Sequence, residues 1–328
     1  MKHNTYAATA QSSGLGLNMM SNGDMEHMHD AILEVLETIG IKYEDTEALQ
    51  ILADAGAQVD FEAKVAKFPA YMVNDAISSA PGHFYLRGKK PEYDALLGDG
   101  RTNWIPFGCG IMVQDMETGE IRESTKQDII NCARITEALD EYDVCMQTVV
   151  AQDVPEHVEE LHSFVGHAFH TNKNVTVGPM GKRSAEALVE LASIVAGGKE
   201  KLQERPFLNF GGCTISPLTI PGSTCQAIIV GAPNNIPIGT LSMAMSGGMS
   251  PVKITGSLVV DLAETLGALI LAQTVKKGAA MMMGISNGML DLRHNALAEL
   301  GCPEAALLSA GFAQMCNFYD VPSLVGGT

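Results

Sequence analysis

Positive charge is in short supply in this chain. Twenty-one lysines and arginines stand against 38 aspartates and glutamates in 328 residues, a formal net charge of −17. Affinity for nucleic acid comes largely from basic side chains that neutralise phosphates, so this balance argues against a nucleic-acid partner. Cysteine pairing motifs are also missing. The seven cysteines (Cys109, Cys132, Cys145, Cys213, Cys225, Cys302 and Cys316) include no CxxC and no metal-ligand spacing. An odd number of scattered thiols fits reduced cysteines in a cytoplasm. The opening MKHNTYAATAQSSG lacks the apolar core of a secretory signal. An unbroken membrane-length run is lacking too: the apolar region 258–283 is interrupted by Asp261, Glu264, Lys276 and Lys277. That pattern suits a buried helix followed by a strand better than a bilayer span.

What the chain has is core material. Hydrophobic residues make up 46% and charged residues 18%, with 33 glycines and 18 methionines, a composition suited to tight turns and an adaptable, thioether-rich interior. Met25, Met28, Ile32, Val35, Leu36 and Ile39 share one face of a helix expected over 24–39 and closed by Gly40. A second helix is expected over 44–55, and a third starts near Pro69, where proline is tolerated. Residues 1–100 therefore read as a helical N-terminal region packing on a larger domain, 101–328.

In that larger domain the period alternates. Strand candidates fall at 104–108, 145–151, 174–177, 207–210, 238–244, 280–284 and 323–325, with a hairpin at 111–121. Helix patterns over 126–139, 156–170, 184–195, 220–230, 252–275 and 303–318 separate them. Such alternation implies parallel pairing through right-handed crossovers. An open doubly wound sheet would carry a G-x-G-x-x-G turn into a helix, but Gly108-Cys-Gly110 is a fragment that leads into a hairpin. The expected fold is α/β, a TIM-type (β/α)8 barrel that is incomplete at the C-terminus. About seven strand candidates are present, where a barrel needs eight.

Catalysis in such barrels sits at the C-terminal ends of the strands. Here those ends are small, polar and glycine-rich: FGCG at 107–110, Gln152-Asp153, GPMG at 178–181, GGCT at 211–214, SGGMS at 246–250, Ser286-Asn287-Gly288 and Gly326-Gly327-Thr328. Each turn alone is an ordinary βα loop; together they leave room above the barrel. Ser216-Pro217, Ser250-Pro251 and Cys302-Pro303 are expected at helix N-termini, and SGGMSP is then a candidate anion cradle. Asp153 is a candidate for site chemistry, with capping of the helix near Pro155 as its alternative. His157, His162, His167 and His170 fall on one helix, but no HExxH is present and no metal site is expected. Met243, Met245, Met281, Met282 and Met283 are expected to fill the barrel interior.

The stretch LSMAMSGGMSPV at 241–252, followed by TGSL at 255–258, resembles the trimethylamine:corrinoid methyltransferase family. Trp104 with FGCG at 107–110, TISPL at 214–218, and Pro303-Glu-Ala, Phe318-Tyr and Val321-Pro-Ser323 resemble it in the same order. The resemblance implies a TIM-type barrel. It also implies transfer of a methyl group from trimethylamine to the Co(I) of a corrinoid held by a separate protein, in methylamine metabolism of the methanogenic type. On this reading the chain binds no cofactor directly, and its partners are a corrinoid protein and a small methylated amine. A homo-oligomer is expected, with neither nucleic acid nor membrane as partner. Candidate substrate-lining residues are Asp153, Ser242, Met243, Ser246, Gly247, Gly248, Asn287, Gly326 and Gly327, and Asp153, Trp104 and Phe107 are candidates to meet a cation.

The family's trimethylamine branch uses pyrrolysine, encoded by an amber codon, after a strand end similar to Val325-Gly-Gly-Thr328. No catalytic residue is identifiable in the chain itself. The expectation is that pyrrolysine follows Thr328 directly and that 1–328 is an amber-terminated, inactive and aggregation-prone fragment. The codon after Thr328 tests this. Transfer from glycine betaine, and a non-catalytic barrel that holds a methylated amine or a corrinoid protein, are the alternative functions.

Overall fold

Helix–strand alternation sets the architecture, and its register decides which side chains reach the mouth. The computed structural model describes residues 18–326; Gly327 lies outside them. The N-terminal region opens with α1 (Asn22–Thr38), whose first turn is closed by a capping box between Ser21 and Asp24. Met25, Met28, Ile32 and Leu36 form its buried stripe. It continues through β1 (Ile41–Tyr43), α2 (Thr46–Asp54), β2 (Gln58–Asp60), β3 (Val65–Lys67) and α3 (Ala70–Ser79). The extended piece between the second and third helices is thus a β-hairpin. It joins β1 and a strand from the barrel loops, β11 (Thr219–Ile220), in a four-stranded sheet of order β11-β1-β3-β2.

A second hairpin, β4 (Phe84–Leu86) and β5 (Ala95–Leu97), lies under the barrel. The Lys89 amide donates to Asn172 O just before a barrel strand, and Asn174 Nδ2 donates to Arg87 O. Leu86 and Ala95 pack there with Val144 and Met282. A third hairpin follows, β6 (Met112–Gln114) with β7 (Ile121–Glu123).

Parallel strands and helices then alternate: α4 (Lys126–Ala138), β8 (Val144–Met146), α5 (Glu159–Ala168), β9 (Asn174–Val177), α6 (Lys182–Ala196), α7 (Lys199–Glu204), β10 (Leu208–Cys213), α8 (Gly222–Gly231), β12 (Ile238–Ser242), α9 (Ile254–Val275) and β13 (Met281–Ile285). The hairpin β14 (Met289–Asp291) and β15 (Leu297–Glu299) intervenes before α10 (Pro303–Phe318) and β16 (Ser323–Val325). Six strands pair in parallel, in the order β16-β13-β12-β10-β9-β8. They form the open, incomplete barrel that the sequence pattern predicts.

The candidate at 104–108 stays outside this ladder. Pro106 has no N–H to give and interrupts the pairing with the β8 side: Trp104 O accepts from Asp143 N and Val144 N before it, and Cys109 N and Gly110 N donate to Gln147 O and Thr148 O beyond it. Because strand side chains alternate, the methionines divide between two layers. Met281 and Met283 face the helices and join the main core, whereas Met282 faces inward above the β4–β5 hairpin. The expectation that all three fill the interior is corrected on this point. Among the described residues α9 is the one helix long and apolar enough to cross a membrane by length and composition, and it is mostly buried. The N-terminal helices α1 and α3 cover the side that the barrel does not, which explains why it is apolar all round.

Candidate active site

The mouth takes its shape from the segments that follow β12, β13 and β16. A cleft of about 40 Å³ opens there, lined by Phe107, Ser286, Asn287, Leu300, Ala305, Ala306, Ser309 and Gly326. Gly326 N donates to Ile285 O at 2.8 Å, which prolongs the β16–β13 pairing by one bond. A Cβ at Gly326 would stand 3.2 Å from Ser286 Oγ, inside the cleft, so the glycine keeps it open. Phe107 is 70% exposed and offers an aromatic face, the surface that a methylated ammonium prefers. Three of the residues singled out from the sequence, Asn287, Gly326 and Phe107, therefore meet at one place.

The SGGMSP turn has a different role from the one its sequence suggests. Helix α9 starts at Ile254, three residues beyond Pro251, so no helix N-terminus opens at the turn to hold an anion. Instead the Ser246 and Ser250 hydroxyls each lie 2.8 Å from that of Ser257, and Gly247 N donates to Ser250 O. Ser246 also clips the β14–β15 hairpin, giving its N–H to Gly288 O and accepting from Leu290 N. A Cβ at Gly248 would lie 2.1 Å from Leu290 Cδ1, so any larger residue there would have to displace the Leu290 side chain. Ser216-Pro217 is likewise a turn, with a cis peptide bond; α8 starts after Pro221. Cys302-Pro303 does open a helix, as expected.

Asp153 is exposed and accepts from Lys126 N at 2.7 Å. It thereby caps α4 rather than a helix near Pro155, and it does not line the cleft. Trp104 is also exposed and outside the lining. Met243 is half-buried on the barrel side of β12, and Gly247 and Gly248 belong to the closed turn. His167 donates from Nδ1 to Ser163 O at 2.8 Å, and burial holds its pKa down at about 4. No cluster of three or more potential metal ligands occurs among the described residues.

Behind the cleft lies a group that the sequence reading passed over. Asp261 and Glu264, three residues apart on α9 and therefore on one face, point at the strand ends and are fully buried. The Ser242 hydroxyl sits 2.6 Å from Asp261 Oδ1 and 2.7 Å from Glu264 Oε2. Glu264 also accepts from Thr214 Oγ1, from Ser216 Oγ at 2.9 Å and from Leu218 N at 2.8 Å. Asn287 Nδ2 donates to Asp261 Oδ2 at 2.7 Å, while its Oδ1 accepts from Gly288 N.

Ser242 has one proton and two carboxyl neighbours. Glu264 collects four donors, so that when Asp261 is protonated it can donate to Ser242 Oγ while Ser242 gives its own proton to Glu264. Burial is the main influence on Asp261 and pushes its pKa up to about 7; the hydrogen bonds from Ser242 and Asn287 oppose this, and the Glu264 charge reinforces it. In the sequence these acids only interrupt an apolar run. The available signal was their i, i+3 spacing in an otherwise apolar helix, opposite hydroxyl-bearing strand ends at Thr214, Ser216 and Ser242.

An open parallel barrel with a cleft at its strand ends, aromatic on one side and amide-lined on the other, defines a TIM-type fold, and the cleft lies at the end where such folds carry their sites. The solved structure of monomethylamine methyltransferase (MtmB) from Methanosarcina barkeri, and that of an MtmB–hydroxylamine complex, have the same fold: each superposes with a TM-score of 0.62 at 14% identity, covering 98% of this chain and 65% of the other.

The chain belongs to the trimethylamine methyltransferase (MTTB) family, whose family description matches residues 3–328. It is 39% identical over 321 residues to the trimethylamine methyltransferase MttB of Desulfitobacterium hafniense, covering 98% of this chain and 64% of that protein. It is 33% identical over 332 residues to MttB of Methanosarcina thermophila, covering 68% of it. A glycine betaine methyltransferase of Desulfitobacterium hafniense is more distant, at 28% over 311 residues. The chain thus spans about two thirds of the length of these relatives.

Proposed function

We propose that this chain forms the amine-binding part of a methyltransferase that moves a methyl group from trimethylamine to the cobalt of a corrinoid carried by a partner protein. In that transfer the C–N bond breaks with its electron pair left on nitrogen, and the corrinoid in its Co(I) state supplies the pair that takes up the methyl group. The carrying observation is the mouth cleft, where Phe107, Asn287 and Gly326 converge in a family of trimethylamine methyltransferases. Trimethylamine fits this lining better than glycine betaine. Betaine brings a carboxylate, and among the described residues the lining contains neither Lys nor Arg to receive it.

The activity proposed is that of the whole protein, and the codon after Thr328 tests whether pyrrolysine provides the group that takes up the amine. The decisive assay mixes the intact protein with a reduced corrinoid protein and trimethylamine and follows the visible spectrum of the corrinoid. Methylation of the cobalt that requires trimethylamine is the expected result. A spectrum unchanged by trimethylamine, together with measurable amine binding, would assign the barrel to binding without turnover.

A further inference from the structure

The acids behind the mouth are connected to the cleft by an unbroken hydrogen-bonded chain. Glu264, Ser242, Asp261 and Asn287 are linked at 2.7, 2.6 and 2.7 Å, and Asn287 is a cleft wall. Asp261 and Glu264 form no ion pair with a Lys, Arg or His among the described residues; the partners recorded for them are hydroxyls, one carboxamide and backbone amides. A buried carboxylate pair without a basic partner is expensive, and stability alone does not favour keeping one.

We propose that Asp261 is a positioning residue for the cleft: it locks the Asn287 carboxamide in one orientation and, when ionised, places an uncompensated negative charge one side chain behind the wall, so that the site favours a cationic methylated amine over a neutral molecule of the same shape. The substrate class rests on the methylated-amine reading above. The neighbours of Asp261 are the Ser242 hydroxyl and Ala244 amide of the β12 segment, Asn287 after β13 and, on its own helix, Glu264. Of these only Glu264 carries an acidic side chain, and its charge acts on Asp261. Asn287 is tied at both ends, by Asp261 and by Gly288 N, so its amide cannot flip without breaking two bonds.

The test uses the intact protein and two probes that do not titrate. Tetramethylammonium is permanently charged, and tert-butanol is neutral and of similar shape. Binding of each is followed by calorimetry at pH 6 and pH 8, for the wild type and for Asp261→Asn. The wild type is expected to bind tetramethylammonium about ten-fold more tightly at pH 8, the order of effect that a nearby unit charge gives at an effective dielectric of about 20. The variant is expected to be weak and flat with pH, and tert-butanol to be indifferent to both changes.

A pH-independent wild type, a variant that parallels it, or an equal response from tert-butanol overturns the proposal. The wild-type profile needs no variant, so a poorly folded Asp261→Asn protein does not remove the test. Failure of the methyltransferase reading is distinguishable, because the pH-dependent cation preference would then persist without methylation of the corrinoid. Methylation with a pH-independent cation affinity would overturn the Asp261 role alone.

Discussion

Replacing Asp261 by asparagine should make the protein more stable, and increasingly so as pH rises. Burial lifts this carboxyl from its ordinary 3.8 to about 7. The folded state therefore prefers the protonated acid; that preference is present in full below the unfolded value and is lost as pH climbs through about 7. At about 1.4 kcal/mol for each pH unit between the two values, the wild type gives up about 2 kcal/mol by pH 5 and about 4 kcal/mol by pH 8. A carboxamide does not titrate. Its oxygen can accept from Asn287 Nδ2 and its nitrogen can donate to Ser242 Oγ, the pattern of the protonated acid, so the variant should escape the loss. Urea unfolding of both proteins at pH 5, 6, 7 and 8 measures the difference directly. A variant that is less stable at pH 8, or a gain that does not change with pH, refutes the assignment of the shared proton to Asp261.

Four other outcomes follow from the same geometry. Ser242→Ala removes the hydroxyl between the two acids and should cost about 1–3 kcal/mol, read from the same unfolding curves. His167 is held neutral by burial, with a pKa near 4 against its ordinary 6.5. Its contribution is present above 6.5 and is lost as pH falls toward 4, up to about 3 kcal/mol, and His167→Gln should flatten that acid-side loss. Gly288→Ala puts a Cβ 2.2 Å from Glu299 O; because that atom is backbone, the β14–β15 hairpin has to move, which proteolysis or hydrogen exchange across 289–299 would detect. Phe107→Ala should weaken tetramethylammonium binding about three- to ten-fold while leaving the melting temperature unchanged, since the ring is mostly exposed.

Periodicity was enough to read the barrel helices and strands, because a strand buried on both faces and an amphipathic helix leave different spacings in a sequence. α10 and β16 match the pattern residue for residue, and the other helices to within a few residues at their ends, apart from the short α7, which the pattern did not show. The small N-terminal sheet was not legible. Its strands are two or three residues long, and one of them, Thr219–Ile220, lies far along the chain. Of the residues that line the cleft, Gly326 was legible as a glycine at a strand end and Asn287 as a polar residue following one. Asp153 misled because a residue after a strand can cap either neighbouring helix, and here it reaches back to α4. Asp261 and Glu264 went unread because their importance lies in what faces them. Thr214, Ser216, Ser242 and Asn287 are spread over some seventy residues of sequence and become neighbours only when β10, β12 and β13 lie side by side.

The sheet shared by β1 and β11 has a consequence for how the chain is made. Lys42 and Tyr43 pair with Thr219 and Ile220, and the Met19 and Met20 amides donate to the Gln314 side chain, with His29 against Tyr319. The N-terminal segments therefore wait for segments synthesised up to 295 residues later before they can dock. Contacts between such distant parts of a chain slow folding and leave apolar faces such as that of α1 uncovered during synthesis. This protein should depend on chaperones in proportion to that delay.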